Sequence, residues 1–360
     1  MSKNKQITIV VFGIGNVGST LINQILEAKG VLLEKQNLEV KIPVIANSKY
    51  VFFDRAGMGK NWELDFEASS VPYSIEDVIN HVNDWGYKNL IAIDATASKE
   101  FVEHYIPLVE NGFNIVSANK VANTLDYAYY KALRETLKIN NKTFLYETNV
   151  GAGLPVIETI KKLHESGEKI EKVRGVFSGS LSYIFNTFSK CDKLFSTVLT
   201  EASSLGLTEP DAREDLSGND VARKLLILAR ELDINKELID VKVEGLVPKN
   251  LKGKTTVHQF NKRLKELDNT FKHKKQDLQE GQVLRYVGEL DVVSQNLEVK
   301  LVQEIKSSPL GQLQGADTVF EIFTESYKET PLVIQGAGAG KSVTARGVFS
   351  DVIKIAQHLN

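Results

Sequence analysis

Hydrophobic positions in the first part of the chain alternate between short unbroken runs and helical spacing. Residues 7–12 form a β-branched apolar run, and Leu21, Ile22, Ile25 and Leu26 then mark one face of a helix. Similar strand-like runs recur between helical segments, at 41–46, 89–94, 114–117 and 144–146. Unbroken runs are typical of parallel strands that are covered on both faces. The pattern therefore predicts an α/β domain built on a parallel sheet.

A glycine-rich turn joins the first predicted strand to the first helix. Its residues are Gly13, Ile14, Gly15, Asn16, Val17 and Gly18. In this context the first glycine permits a tight turn, the second lets the backbone approach a pyrophosphate, and the third lets the helix pack on the strand. The N–H groups at the helix start then face the phosphates. The turn predicts a Rossmann-type dinucleotide-binding domain; the alternative is a glycine turn that binds no phosphate.

The residues after the second strand bear on the choice of dinucleotide. The strand at 41–46 ends in Asn47, Ser48 and Lys49. NAD-specific sites often place an acidic residue here for the ribose 2′-hydroxyl, and this turn has none. Ser48 and Lys49 could instead meet a 2′-phosphate, which favours NADP or the use of both cofactors. The alternative is that Lys49 is simply solvated.

Polar residues also follow the next two strands, at the edge of the sheet where ligands of such folds bind. Thr96 and Ser98 come after the strand at 89–94 and are candidate cofactor contacts, or they cap a helix that starts near residue 99. Lys120 lies just past the strand at 114–117. Its position is on the ligand side of the predicted sheet, although an ordinary surface lysine would also fit.

The second half of the chain has a different pattern. A strand and a small-residue turn lead into a helix near 178–186, and antiparallel strands are predicted at 283–287, 290–293 and 297–302. The glycine-rich turn near residue 150 breaks the earlier αβ rhythm. Glycines at 336–340 precede a helix that we expect to return to the first domain. The predicted domains are therefore a dinucleotide-binding domain, 1–150 plus 336–360, and a substrate-binding and dimerisation domain, 151–335.

Residues 205–229 combine an acidic loop with an amphipathic helix. The loop contains four carboxylates, those of Glu209, Asp211, Glu214 and Asp215. Pro210 and Gly218 favour turns in this loop, and apolar residues recur at helical spacing after it. Asp220 and Lys224 are four residues apart, so they share one helix face. This arrangement suits a small substrate with an ammonium group and a reacting oxygen; the alternative is a solvated loop beside a routine surface ion pair.

Composition narrows the classes of function. The 360 residues are 42% hydrophobic with a net charge of −2, which predicts neither a nucleic-acid partner nor a membrane partner. Cys191 is the sole cysteine and the six histidines lack ligand spacing, so neither a disulfide nor a structural zinc site is expected. No signal peptide or membrane span is evident in the sequence. We therefore expect a cytoplasmic protein.

Together these motifs resemble homoserine dehydrogenases, and the resemblance spans essentially the whole chain. The motifs that carry it are 13–18, 118–120, 147–155, 178–185, 208–211, 215–224 and 336–340. The stretches 47–49 and 178–185 look most like the dehydrogenase half of bifunctional aspartokinase–homoserine dehydrogenases, and we expect a stand-alone dehydrogenase. The resemblance implies a Rossmann-type domain plus an α+β domain with a mixed or antiparallel sheet.

The resemblance also implies an activity and roles for individual residues. The family reduces L-aspartate 4-semialdehyde reversibly to L-homoserine with NAD(P)H, on the route to threonine, methionine and isoleucine. Lys224 resembles its catalytic lysine, Lys120 a second lysine near cofactor and substrate, and Asp220 an acid at the reacting end. The matching substrate-site positions are Thr208, Glu209, Asp215, Gly179 and Ser180. Gly340 is a further candidate cofactor contact, approaching from the return segment.

Two further features are implied only by the resemblance. One is a monovalent-cation site, Na⁺ or K⁺, formed by main-chain oxygens of Glu147, Val150, Ala152 and Leu154. The other is a homodimer in which a sheet continues across a two-fold axis. Two other functions remain open: a related dehydrogenase for another small amino-aldehyde, and a non-catalytic nucleotide-sensing Rossmann protein.

Overall fold

The computed structural model describes residues 4–253 and 255–359. Its strands are β1 Lys5–Phe12, β2 Leu38–Ala46, β3 Tyr50–Phe53, β4 Val71–Pro72, β5 Leu90–Asp94, β6 Asn114–Ser117, β7 Phe144–Leu145, β8 Ile170–Val176, β9 Lys242–Val243, β10 Gln282–Asp291, β11 Asn296–Ile305, β12 Thr318–Thr324 and β13 Leu332–Gly336. The first α-helices are α1 Asn16–Gln36, α2 Trp62–Ser69, α3 Ile75–Asp84, α4 Tyr105–Glu110, α5 Tyr127–Ile139, α6 Val156–Glu165 and α7 Gly179–Lys190. The later ones are α8 Phe195–Ser204, α9 Ala212–Leu216, α10 Asn219–Glu231, α11 Val257–Lys262, α12 Asp268–Gln276, α13 Pro309–Gln312 and α14 Lys341–His358.

The chain divides into two compact units. The first runs up to Gly153 and resumes at Gly340, and the second runs from Leu154 to Ala339. The predicted boundaries were at 150 and 336, close to these positions. Because α14 belongs to the first unit, that unit is discontinuous in sequence.

The first unit is built on a sheet whose described strands follow the order β4-β3-β2-β1-β5-β6-β7. Strands β2, β1, β5, β6 and β7 pair in parallel, and β3 and β4 add an antiparallel edge. The β1 side chains alternate between two buried layers. Ile9 packs in a cluster with α1 and α14, whereas Val10 packs in a cluster with α3. Coverage of both faces explains why the sequence shows unbroken apolar runs here.

The second unit contains a sheet whose described strands follow the order β13-β12-β8-β10-β11-β9. All neighbours pair antiparallel except β11 and β9, which pair in parallel, so the sheet is mixed. The predicted fold class, a Rossmann-type domain with a second α+β domain, is therefore confirmed. The segment that precedes the glycines at 336–340 is strand β13, which belongs to this second sheet.

Two local predictions in the second unit were wrong, and one strand was not predicted. The strands predicted at 283–287 and 290–293 are one strand, β10, because Gly288 continues it. A Cβ at Gly288 would lie 3.0 Å from the Phe177 ring, so the glycine serves close packing and does not break the strand. Strand β12 was not predicted as a separate element. The acidic loop contains the short helix α9, which the turn-favouring residues concealed.

The lysine-rich stretch at 250–280 is anchored by aromatic packing. The Phe271 ring stacks on Phe195 with 3.6 Å between ring centroids. The Asp268 carboxylate accepts hydrogen bonds from the main-chain N–H and the hydroxyl of Ser196 at the start of α8. No helix within the described residues is both long and apolar enough to cross a membrane.

Candidate active site

The glycine turn after β1 has the geometry that its sequence predicts. Gly13 has φ +92°, and a Cβ there would lie 2.8 Å from the carbonyl carbon of Ala95. A Cβ at Gly18 would lie 1.8 Å from the carbonyl oxygen of Gly13. Both positions therefore exclude any larger side chain. At Gly15, by contrast, a Cβ would meet no described atom within 4 Å beyond its chain neighbours, which leaves open space at the start of α1.

The N-terminus of α1 is suited to an anion. Gly15 provides no side-chain cap, and the first turn contains no acidic residue. Ile14, Asn16 and Val17 complete the turn around it. The N–H groups at a helix start lack intrahelical partners and carry partial positive charge, so they are available to the phosphates of a dinucleotide.

The turn after β2 separates a structural asparagine from two exposed residues. The Asn47 side-chain oxygen accepts hydrogen bonds from the main-chain N–H groups of Lys49 and Tyr50, both at 2.8 Å. The Asn47 carbonyl accepts another from the Tyr73 hydroxyl at 3.0 Å. Ser48 and Lys49 themselves are exposed at the carboxyl end of β2. Asn47 therefore shapes the turn, while Ser48 and Lys49 are accessible to a ligand.

The turn after β5 uses Ser98 as a cap. The Ser98 hydroxyl oxygen accepts a hydrogen bond from the Phe101 N–H at 3.1 Å, at the start of the 3-10 helix Glu100–His104. The Thr96 hydroxyl oxygen accepts one from the Ser98 N–H at 3.2 Å. Of the two alternatives for Ser98, the structure supports capping directly. Contact of either residue with a cofactor stays a prediction.

A buried carboxylate lies where β5 ends, and the sequence reasoning missed it. The Asp94 side chain accepts hydrogen bonds from the Tyr105 hydroxyl at 2.7 Å, the Asn119 amide at 3.0 Å and the Thr96 N–H at 2.8 Å. Burial raises the pKa of the Asp94 carboxyl, and these hydrogen bonds offset part of that rise. Lys120 follows Asn119 directly and precedes the 3-10 helix Val121–Asn123.

Lys224 is the central cation of the second unit. Its side chain is buried, and its ammonium Nζ lies 2.7 Å from the Asp220 carboxylate, one turn earlier on α10. Nζ also donates a 2.8 Å hydrogen bond to the carbonyl oxygen of Phe177, just after β8. An ammonium has three N–H donors, and the third has no partner among the described residues. The predicted pairing of Asp220 with Lys224 is therefore present and held in a fixed direction.

Asp215 joins the acidic loop to the start of α7. One carboxylate oxygen accepts a 2.6 Å hydrogen bond from the Ser180 hydroxyl, and the other accepts a 2.9 Å bond from the Glu209 N–H. The hydroxyls of Ser178 and Ser180 are themselves 2.9 Å apart. Three predicted substrate-site residues, Glu209, Asp215 and Ser180, are thus in direct contact.

Two other predicted substrate-site residues have structural partners. The Thr208 hydroxyl donates to the Ser203 hydroxyl at 3.0 Å, so its side chain is directed at the end of α8. A Cβ at Gly179 would lie 3.0 Å from the carbonyl oxygen of Ala316, so a larger side chain fits there only if this carbonyl moves slightly. Neither is joined by a hydrogen bond to the Asp215 group.

The start of α10 depends on a glycine. Gly218 has φ +77°, and a Cβ there would lie 2.2 Å from the Tyr286 hydroxyl oxygen. That hydroxyl donates a 2.7 Å hydrogen bond to the carbonyl of Glu244, so the tyrosine cannot easily withdraw. Gly218 thereby sets where the helix that carries Asp220 and Lys224 begins.

The ligands implied for the candidate cation turn are main-chain oxygens. Glu147 opens a 3-10 helix, Val150 follows it, and Ala152 has the uncommon φ of +52°. Leu154 is the first residue of the second unit. Oxygen ligands suit hard cations such as Na⁺ and K⁺ better than transition metals. Among the described residues, no cluster of histidine, cysteine or carboxylate side chains has the arrangement of a metal site.

Gly340 lies at the N-terminal cap position of α14. It provides no side-chain cap, and α14 continues along α1, where the Gln24 amide donates to the Ser342 carbonyl at 3.2 Å. Lys341 is the first residue of the helix and is exposed. The return of this segment to the first unit agrees with the prediction, whereas contact of Gly340 with a cofactor is untested.

Comparison with known proteins gives a consistent family. A family model described as the NAD binding domain of homoserine dehydrogenase matches residues 13–147, and a model described as homoserine dehydrogenase matches residues 155–353. The chain is 38% identical to the homoserine dehydrogenase of Saccharomyces cerevisiae over 361 residues, covering 99% of each.

Other relatives are longer proteins. The chain is 43% identical to a bifunctional aspartokinase/homoserine dehydrogenase of Buchnera aphidicola over 352 residues, which is 97% of this chain and 43% of that protein. It thus spans less than half of that relative. A crystal structure of a Candida auris protein of unknown function aligns with a TM-score of 0.90 and 35% identity, covering 98% of this chain and 99% of that one.

Proposed function

Because the chain belongs to the homoserine dehydrogenase family, we propose that it catalyses the reversible NAD(P)H-dependent reduction of L-aspartate 4-semialdehyde to L-homoserine. The family's activity serves the synthesis of threonine, methionine and isoleucine. The observation that carries the proposal within this chain is the buried Lys224 ammonium, which is oriented by Asp220 and Phe177 and keeps one N–H donor without a partner among the described residues.

Lys224 performs the proton chemistry in this proposal. When bound, the nicotinamide cofactor exchanges a hydride with the substrate's carbonyl carbon. As negative charge develops on the carbonyl oxygen during reduction, the remaining Lys224 N–H stabilises it by a charge-assisted hydrogen bond and then transfers a proton to it. In the oxidative direction the neutral amine accepts that proton from the hydroxyl. The Asp220 carboxylate, 2.7 Å away, holds the ammonium in the position from which it acts.

Glu209 and Asp215 are proposed to hold the substrate's amino group. The two hydrogen bonds that Asp215 accepts, from Ser180 and Glu209, leave acceptor capacity because an ionised carboxylate has about four lone-pair sites. A substrate ammonium can use that capacity. Gly179 keeps the adjacent helix start free of a side chain, and Thr208 contributes by holding the loop to α8.

The first unit is proposed to bind NAD or NADP through its glycine turn. Thr96, Ser98, Lys120 and Gly340 are further candidate contacts. Exposed Ser48 and Lys49 at the end of β2, where NAD-specific proteins often have an acid, support NADP. Lys341 at the start of α14 would add positive charge near a phosphate, in the same direction.

Two further proposals come from the resemblance. The main-chain oxygens of Glu147, Val150, Ala152 and Leu154 would hold Na⁺ or K⁺. A homodimer is supported by β13, an edge strand of the described sheet whose Val333 is exposed, because such an edge offers unpaired backbone groups to a second copy. The cytoplasmic location stays a prediction from composition.

The test is a direct assay of the purified chain. L-homoserine is mixed with NAD or, separately, with NADP, and the appearance of reduced nicotinamide is followed by its absorbance. Turnover is expected with at least one cofactor. Cofactor binding without homoserine turnover would contradict the proposal, and a panel of other amino alcohols would then separate a different substrate from a nucleotide sensor.

A further inference from the structure

The loops after β5 and β6 are joined by one amide side chain. The Asn119 Nδ2 donates to the Asp94 carboxylate at 3.0 Å and to the Ser98 carbonyl at 2.8 Å. Its Oδ1 accepts from the Val121 N–H at 3.1 Å. Both N–H donors of the amide and one acceptor site are therefore engaged. Asn119 is 2% exposed and Asp94 1% exposed, so water does not compete for these bonds.

The main chain around Asn119 is fixed as well. Its N–H donates to the Ser117 hydroxyl oxygen at 2.9 Å, and the Tyr105 hydroxyl bridges Ser117 and Asp94 at 2.7 Å to each. One residue later, the Lys120 carbonyl accepts from the Asn123 N–H at 3.2 Å. The backbone is thus held on both sides of Lys120.

Burial of the Asp94 carboxylate in this network has an unfavourable free energy that a closely packed apolar residue would avoid. A buried carboxylate is unfavourable unless it is hydrogen-bonded, and an apolar residue at position 94 would fill the same layer without that penalty. The carboxylate adds directional hydrogen bonds, which fix the positions of the groups that donate to it. Its two oxygens accept from the β5 loop through Thr96 and from the β6 loop through Asn119.

We propose that Asn119, oriented by Asp94, is a positioning residue that holds the Thr96–Ser98 turn and Lys120 in one fixed arrangement for cofactor binding and hydride transfer. The inference rests on the proposed function, because Thr96, Ser98 and Lys120 are candidate contacts there. Neither Asn119 nor Asp94 needs to touch a ligand for this role.

The test compares variants of the full chain by two independent measurements. Reduced nicotinamide fluorescence gives the Kd of NADPH, and homoserine oxidation gives kcat and KM. Asn119→Ala is expected to raise the Kd of NADPH and lower kcat, each on the order of tenfold, because small displacements of positioning groups have effects of this size. The KM for homoserine should change by less than about twofold, since the substrate carboxylates are on other elements.

Tyr129→Phe is the matched control. It removes the hydrogen bond that the Tyr129 hydroxyl donates to the Val102 carbonyl at 2.7 Å, in the same unit but outside the Asn119 network. It should therefore keep kcat and the Kd of NADPH near wild type. If Tyr129→Phe and Asn119→Ala reduce kcat and cofactor binding equally, the loss reflects general destabilisation and the proposal is overturned.

A second pair covers the case in which Asn119→Ala does not fold. Asn119→Asp sets two carboxylates side by side, whereas the double variant Asp94→Asn with Asn119→Asp restores one amide and one carboxylate. The double variant should bind NADPH more tightly than Asn119→Asp; equal binding would overturn the proposal. Because NADPH binding needs no turnover, it still decides the matter if wild type fails to oxidise homoserine, a result that counts against the proposed function instead.

Discussion

The Lys224 ammonium donates a 2.8 Å hydrogen bond to the carbonyl oxygen of Phe177. This contact joins α10 to the segment between β8 and α7. The ammonium direction is thereby set by two separate elements, since Asp220 on the same helix holds it from another side at 2.7 Å. A lysine held in this way loses little conformational entropy when it acts on a substrate oxygen.

Replacement of Lys224 by methionine should abolish most turnover. Methionine keeps the volume of the buried stem, so the fold and cofactor binding should persist. The loss of a preorganised donor should lower kcat on the order of a hundredfold or more. Arg223→Met, at an exposed position on the same helix, is the control and should keep wild-type kcat. Normal turnover by Lys224→Met would contradict the role of this lysine.

Asp215→Asn should act mainly on substrate binding. The amide retains one acceptor for Ser180 or for the Glu209 N–H but loses the negative charge that attracts the substrate ammonium. A hydrogen bond to a charged group contributes about 1.5–3 kcal/mol, so the KM for homoserine should rise on the order of tenfold or more. Steady-state kinetics of Asp215→Asn and of Glu214→Gln, an exposed neighbour, provide the comparison. An equal KM in both variants would count against this assignment.

Much of the first unit was predictable because its signals are local. Three of these signals are consecutive in the chain: the run at 7–12, the glycine turn and the apolar face of α1. The structure of each can be predicted from its own residues. The Asp220 and Lys224 pair was predictable for the same reason, since helical spacing alone brings them together. Asp94 was not, because its partner Asn119 is 25 residues away and a buried aspartate looks like any other in sequence.

The errors in the second unit have the same origin. Strand β12 carries the buried carboxylate of Glu321, whose partner Arg174 lies on β8, far away in sequence. Because that partner cannot be recognised from the sequence, a segment with a central glutamate is not predicted to be a core strand. Gly288 looked like a strand end, although it is an internal position packed against Phe177. Sequence patterns indicate the structural preferences of individual residues, whereas contacts with residues distant in sequence can override those preferences.

Gly218→Ala should destabilise the second unit more than an ordinary left-handed glycine would predict. Alanine at φ +77° costs about 1–2 kcal/mol, and contact with the Tyr286 hydroxyl should add about 1–3 kcal/mol. Gly206→Ala is a matched control, because φ there is +68° and no described atom outside its chain neighbours lies within 4 Å of the added Cβ. Urea unfolding midpoints of the two variants measure the difference. Equal midpoints would show that the Tyr286 side chain moves to accommodate the added methyl group without a loss of stability.

Lys49→Ala should change cofactor preference. If the Lys49 ammonium contacts a 2′-phosphate, its removal should lower kcat/KM for NADP about tenfold, equivalent to ~1.4 kcal/mol, and leave NAD within about twofold. Lys60→Ala removes an exposed lysine elsewhere in the first unit and controls for net charge. An equal decrease in kcat/KM with both cofactors would mean that Lys49 does not recognise the 2′-phosphate.

Glu321→Gln should remove part of the pH dependence of stability. Burial raises the pKa of the Glu321 carboxyl above its ordinary 4.5, and the Arg174 guanidinium, 3.6 Å away, offsets only part of that rise. A raised pKa in the folded state means that the folded protein binds this proton more tightly than the unfolded chain. Stability from this group is therefore greatest below pH 4.5 and falls as the pH rises through the folded-state pKa.

Glutamine does not ionise, so the variant should gain stability relative to wild type as the pH rises. Urea unfolding at several pH values between about 4 and 7 measures this difference. Glu304 and Lys172, the other charged groups near Glu321, are present in both proteins, so their contributions largely cancel in the comparison. Glu325→Gln, which removes a carboxylate at an exposed position, is the control for the loss of one negative charge. A Glu321→Gln difference that stays constant across the range would mean that Arg174 fully compensates the burial of this carboxylate.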